Sequence, residues 1–102
     1  MKLTEEMLSI IQKAPYLSLI TQNNDGTPHP IIVGGKALDG DKITVGIYKM
    51  EVTQNNLKSN NKMWILASTV GEDGPKGYRF SGTALVSDNK VVFTPENAEV
   101  MI

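Results

Sequence analysis

The sequence predicts a mainly β domain: six antiparallel strands closing into a barrel, with two short helices, in the order α-β-β-β-α-β-β-β. Three observations carry this expectation. The segments "KITVGIY" and "YRFSGTALVS" alternate between faces with the period of two that a strand requires. The strand-like segments are joined by short turn signals, "NNDG", "LDGD" and "DN", which suit antiparallel neighbours. Only two stretches break the β pattern with helical spacing or helix-forming residues, so strands dominate and helices are accessory.

Each element follows from local sequence. Leu3, Met7, Leu8 and Ile11 recur at helical spacing, Thr4 is placed to cap, and Glu5 and Glu6 occupy the first turn. Pro15 ends this helix. "YLSLITQ" is a short first strand, and the Asp-Gly of "NNDG" favours the positive φ of a tight turn. "HPIIVGGKAL" reads as one second strand. Its Gly34-Gly35 pair marks either a bulge or a place where something approaches the backbone closely. "KITVGIY" puts Ile43, Val45 and Ile47 on one face, and a helix follows from about Thr53 to Ser59. "KMWILAST" is apolar on both faces and so reads as a central strand. "VGEDGPKG" reads as a mobile loop. In "YRFSGTALVS", Tyr78, Phe80, Ala84 and Val86 are expected inward and Arg79, Ser81, Thr83 and Ser87 outward. "KVVFT" is the last strand, and "TPENAEVMI" is open between a helix started by Pro95 and a strand carrying a bulge.

Composition narrows the function. The chain has 102 residues, the length of one domain with one modest core. A net charge of −1 and six aromatic residues give no footprint for nucleic acid or an anionic membrane. Cysteine is absent, which removes disulfides, thiol catalysis and Cys-based zinc sites. No apolar run approaches the ~18 residues of a membrane span, and no signal-peptide pattern opens the chain, so a cytoplasmic location is expected. His29 is the only histidine and reads as a turn or strand-start residue; with no partner ligands no metal site is expected. Phosphate-loop, dinucleotide and nucleophile-elbow motifs are all missing, and the acidic residues fall in turns, so no catalytic side chain is assigned.

What remains is "YKMEVTQNNL", Tyr48–Leu57, where a strand gives way to a helix. Such a junction, presenting a threonine and backbone N–H groups, is a natural anion site. No Lys or Arg lies between Met50 and Leu57. Thr53 reads equally as a plain helix cap with no ligand. Trp64, Tyr78 and Phe80 read as core or interface residues.

The ordered set "GTPHPIIVGG", "MEVTQNNL", "KMWILAS" and "GYRFSGTALV", with the leading "LTEEMLSII" helix, resembles the FMN-binding split-barrel family. This is the pyridoxamine 5′-phosphate oxidase-like superfamily, in particular its short FMN-binding proteins. The resemblance implies a six-stranded antiparallel split barrel and a homodimer with non-covalent FMN at the subunit interface. It implies redox activity, with NADH, NADPH or a protein as electron donor. It places Ile32, Val33 and Gly34 beside the flavin ring, and Ile47 and Tyr48, after Gly46, along the ring or ribityl chain. It places the helix start, Glu51, Val52, Thr53 and Gln54, at the phosphate. Val52 stands where the family usually has a cation, so Lys36, Lys49, Lys76 or Arg79 is expected to supply the charge, Arg79 being the best single candidate. A family helix before the final strand is replaced here by "SDN". Pyridoxamine phosphate oxidation is not expected, because no basic cluster exists for a second phosphorylated ligand. The alternatives are a non-catalytic flavin carrier or sensor, and a flavin-free dimeric barrel.

Overall fold

The computed structural model of the chain describes all residues, Met1–Ile102. Nine elements follow in order: α1 (Glu5–Lys13), β1 (Leu17–Gln22), β2 (Pro28–Val33), β3 (Lys36–Asp39), β4 (Lys42–Gly46), α2 (Glu51–Ser59), β5 (Lys62–Gly71), β6 (Gly74–Ser87) and β7 (Lys90–Val100). The expected element order holds, with seven strands in place of six. The expected second strand is two strands, divided at Gly34-Gly35.

The strands form one antiparallel sheet in the order β2-β1-β5-β6-β7-β4-β3. β2 and β3 are therefore the two edges, yet only Gly34 and Gly35 separate them in the chain. Three residue steps span at most about 11 Å. The sheet must curl until its edges nearly meet, which makes a barrel with an open seam. Alternation places Leu17, Leu19, Ile43, Val45, Met63, Ile65, Phe80, Val91 and Phe93 inside, where all are essentially fully buried. α1 contributes Ile10 and Ile11 to this core, Leu3 joins it from just before the Thr4 cap, and α2 contributes Leu57.

Local chemistry explains the ends of the elements. The Thr4 hydroxyl accepts from the Met7 N–H at 3.2 Å, capping α1 as the sequence predicts. Asp88 and Asn89, at φ 50° and 61°, form the two-residue turn between β6 and β7. The expected mobile loop is instead a tight hairpin: β5 runs to Gly71 and β6 begins at Gly74, with Gly74 at φ 101°. The undecided C-terminal segment is strand. β7 carries a bulge where the partners of β6 step from Asn97 to Pro95, leaving Glu96 unpaired. Proline, which has no N–H to give, is tolerated there. The sequence places Val86 inward, but it is exposed, one residue before β6 ends at the turn to β7, and Tyr78 is half-buried.

Candidate functional site

The seam holds an open cleft of about 540 Å³. One wall is the end of β2 and its exit, Ile31, Ile32, Val33, Gly34 and Gly35. The other is the end of β4 and the approach to α2, Gly46, Ile47, Tyr48 and Met50. Ile32 is 72% exposed and Tyr48 82% exposed, so large apolar surface faces outward at this place. No charged side chain lines the cleft.

Its glycines are not explained by the fold. A Cβ added at Gly35 or Gly46 would meet no atom within 4 Å, and at Gly34 it would make only ordinary contact, 3.7 Å, with the Tyr16 ring. None of the three has a positive φ. Neither backbone conformation nor packing within this chain demands glycine at these positions, and all three border the same space.

The junction beyond the cleft is strained. Lys49 and Met50 are both left-handed, at φ 64° and 59°. Each non-glycine residue in this region costs on the order of 1–2 kcal/mol. The Gln54 side chain braces the turn, its Nε2 donating to the Lys49 carbonyl at 2.8 Å. Met50, not Thr53, is the cap residue of α2, and it offers no side-chain hydrogen bond. The helix therefore begins two residues earlier than the expected start at Thr53.

The first hydrogen bond of α2 runs from the Gln54 N–H to the Met50 carbonyl, 2.9 Å. The N–H groups of Glu51, Val52 and Thr53 precede it and have no acceptor within the helix. The Gln54 N–H, expected at the phosphate, is spent inside the helix. Thr53 is 1% exposed, and its Oγ1 has no hydrogen-bond partner. Val52 is 47% exposed. α2 is pinned to β1 beneath this point: Asn56 Nδ2 donates to Thr21 Oγ1 and to Asn23 Oδ1, both at 3.0 Å.

The sequence-derived candidates thus divide into groups. Ile32, Val33, Gly34, Ile47 and Tyr48 come together at the cleft, joined by Ile31 and Met50, which the sequence reading did not single out for it. Lys49, Glu51, Val52, Thr53 and Gln54 follow directly at the helix start. Lys36 is turned away, its ammonium donating to the Ala14 carbonyl at the end of α1. Arg79 pairs with Glu99 across β6 and β7, Nη2 to Oε2 2.9 Å. Lys76 pairs with Glu6 at 3.3 Å. Lys49 remains beside the cleft, its Nζ 5.9 Å from the Tyr48 ring centroid.

Titration behaviour is displaced elsewhere in the molecule. Hydrogen bonds from Tyr78 and Lys76 hold the Glu6 carboxyl below its usual range, and the Thr27 hydroxyl and N–H do the same for Asp25. Neither lies at the cleft. No group of three or more His, Asp or Glu side chains is placed to hold a metal ion. No helix is long and apolar enough to cross a membrane.

Comparison with known proteins places the fold. No protein-family profile matches the chain, and no curated protein sequence matches it. Solved structures do. A candidate pyridoxamine 5′-phosphate oxidase from Lactobacillus delbrueckii superposes with a TM-score of 0.79 at 20% identity, covering 96% of this chain and 93% of its own. HupZ of Group A Streptococcus gives 0.78 at 20% identity, covering 97% and 94%. HutZ, the heme storage protein of Vibrio cholerae, gives 0.69 at 15% identity, covering 98% and 95%. At these identities the likeness is one of fold, and the chain has the split-barrel fold of pyridoxamine 5′-phosphate oxidase-like proteins.

A flavin of the FMN type, which the resemblance implies, fits this site in part. The apolar, glycine-bordered cleft suits a flat ring. The helix start does not suit a phosphate: it holds Glu51 and Val52, a sealed Thr53 hydroxyl and no cation beyond Lys49.

Proposed function

We propose that this protein is a homodimeric flavin-binding split barrel. The observation that carries the reading is the cleft at the seam, where Gly34, Gly35 and Gly46 border an apolar space for no reason internal to the chain. A planar ring approaching within van der Waals distance of backbone explains glycine at such positions. Ile31 and Val33 on one wall and Ile47 and Met50 on the other offer apolar faces to it, and they exclude water from it.

A bound flavin supplies electron or hydride transfer, and the protein supplies position and environment. The backbone at Gly34 and Gly35 is the close-approach surface for one ring face. FMN is the member of the class to which the resemblance points, with NADH, NADPH or a protein as donor.

The dimer rests on the outer surface. Ile20, Trp64 and Leu66 alternate with buried residues of β1 and β5 and so project outward, where they are half-exposed beside the exposed Ile32. Ile20 lies across from Trp64, and Ser18 lies between Leu66 and Ile32. A contiguous apolar sheet face of this kind is the surface that association would bury.

An absorption spectrum of the purified protein, before and after adding flavin, tests the reading. Flavin bands that co-elute with the protein on gel filtration at dimer size are the expected result. A colourless protein that takes up no flavin overturns it, as does a haem spectrum. If flavin is bound, anaerobic mixing with NADH or NADPH separates a reductase, which bleaches, from a carrier or sensor, which does not.

A further inference from the structure

The two ends of the candidate site make opposite provisions for a ligand, and this bears on which flavin it takes. Resting on the flavin reading above, we infer that the site selects the isoalloxazine ring and ignores the phosphate, so that uncharged riboflavin binds about as well as FMN. The cleft itself presents no charged side chain. A phosphate monoester would bring about −1.5 to −2 charge at neutral pH. The helix start already holds an acid of its own: Glu51 occupies the first turn, where the helix dipole favours one negative charge and a second would be repelled.

Cations that could offset that charge are committed elsewhere. Lys36 is bound to the Ala14 carbonyl, Lys76 to Glu6 and Arg79 to Glu99. Lys49 lies beside the cleft with Glu51 two residues later, and Lys90, across from Gly46 on β7, is not among the cleft's lining. The hydroxyl that would complete a phosphate cradle, Thr53 Oγ1, is sealed inside the chain, and the Gln54 N–H is bonded to Met50. Three N–H groups are left without an acceptor in the helix, and Glu51 stands among them. Selection therefore falls to the ring, through shape and apolar contact.

The test is a pair of titrations of the full chain, FMN and riboflavin, followed by quenching of flavin fluorescence. The two dissociation constants are expected to lie within about tenfold of each other. Val52→Lys, at an exposed position that tolerates a long side chain, is expected to tighten FMN by about tenfold and leave riboflavin unchanged. Glu51→Gln is expected to shift the ratio in the same direction by less. A wild-type preference for FMN beyond about tenfold overturns the inference while leaving the flavin reading intact. Failure of either flavin to bind overturns both. Equal FMN affinity in wild type and Val52→Lys also overturns it, because the tail of the ligand would then not lie at the helix start.

Discussion

Gly82 and Gly46 are both strand glycines, but they sit in regions built on different terms. Gly82 lies in the long wall of β5, β6 and β7, strands of 10, 14 and 11 residues that pair along most of their length. A Cβ there would fall inside the Thr94 carbonyl oxygen and 3.0 Å from the Pro95 Cα, because the bulge in β7 draws the two backbones together. Gly46 lies at the seam, at the end of a five-residue strand, and a Cβ there would meet nothing. The wall needs its glycine in order to fold; the seam has no structural use for its own. The same contrast runs through the side chains. The wall buries Met63, Ile65, Phe80, Val91 and Phe93 completely, whereas the seam exposes Ile32 and Tyr48 and carries strain at Lys49 and Met50. Stability is concentrated in one region, and the features that stability does not explain are concentrated in the other.

The largest effect that would break this comparison is at Gly82. Gly82→Ala forces backbone against backbone and is expected to cost about 3 kcal/mol. That is a fall in Tm of more than about 10 °C for a domain of this size. A thermal melt close to wild type would mean that the bulge is soft and that the wall is not the rigid half.

Between wall and seam lies Asn56, which ties α2 to β1. Asn56→Ala strands the Thr21 hydroxyl, which is fully buried, and removes the donor to Asn23. Leaving such groups unpaired costs about 1–3 kcal/mol. Urea unfolding should register the loss as a lower midpoint with an unchanged slope. Flavin affinity should fall with it if α2 holds the turn at Met50 in place. A variant as stable as wild type would separate the helix from the sheet energetically.

Gly46→Ala sharpens the comparison most. Its backbone is open to alanine, so stability should hold or rise by about 0.4–1 kcal/mol through the unfolded chain. Flavin affinity should drop by about tenfold as the methyl group enters the cleft. Gly35→Ala should behave alike. Loss of stability without loss of binding at either position would make these glycines structural after all.

Most of this architecture is legible in the sequence, because a period of two and short turn signals constrain an antiparallel sheet tightly. The seventh strand was hidden because "HPIIVGGKAL" is continuous in β character. Only tertiary closure reveals that Gly34-Gly35 carries the chain from one edge of the sheet to the other. "VGEDGPKG" looks mobile by composition, yet its glycines serve a tight hairpin whose pairing reaches Gly71 and Gly74. At the site, the residues flanking the cleft were legible as neighbours of a glycine pair and a strand end. The direction of Lys36 and the partner of Arg79 were not. Strand alternation assigns a face, and it does not say that a lysine will reach under α1 or that Glu99 will lie opposite Arg79 after a one-residue bulge. Thr53 was misplaced for a local reason. It has the chemistry of a cap, but the left-handed turn at Lys49 and Met50 starts the helix early and carries Thr53 into the interior.

The smallest expected effect is where α1 meets the wall, at Glu6, and its sign is fixed by linkage. The Tyr78 hydroxyl donates to Glu6 Oε1 at 2.6 Å, and Lys76 lies 3.3 Å from Oε2, tying α1 to β6. Both partners favour the carboxylate, so the folded-state pKa lies below the usual value of 4.5. The contribution is thus fully present above that value and disappears as the pH falls through the folded pKa. Tyr78 answers from the alkaline side. Its pKa is raised above 10.0, chiefly by the bond to Glu6, so the contribution is lost again as pH rises through that higher value. Glu6→Gln keeps an acceptor for Tyr78 and removes only the charge. Its melting temperature should lie slightly below wild type near neutral pH and converge with it as the pH falls below the lowered folded-state pKa of Glu6. Added salt should narrow the gap at neutral pH, since the pair is exposed to solvent. Flavin affinity should not move in this variant, because none of Glu6, Lys76 and Tyr78 lines the cleft. A change in affinity without a change in stability would show that the wall and the seam are coupled.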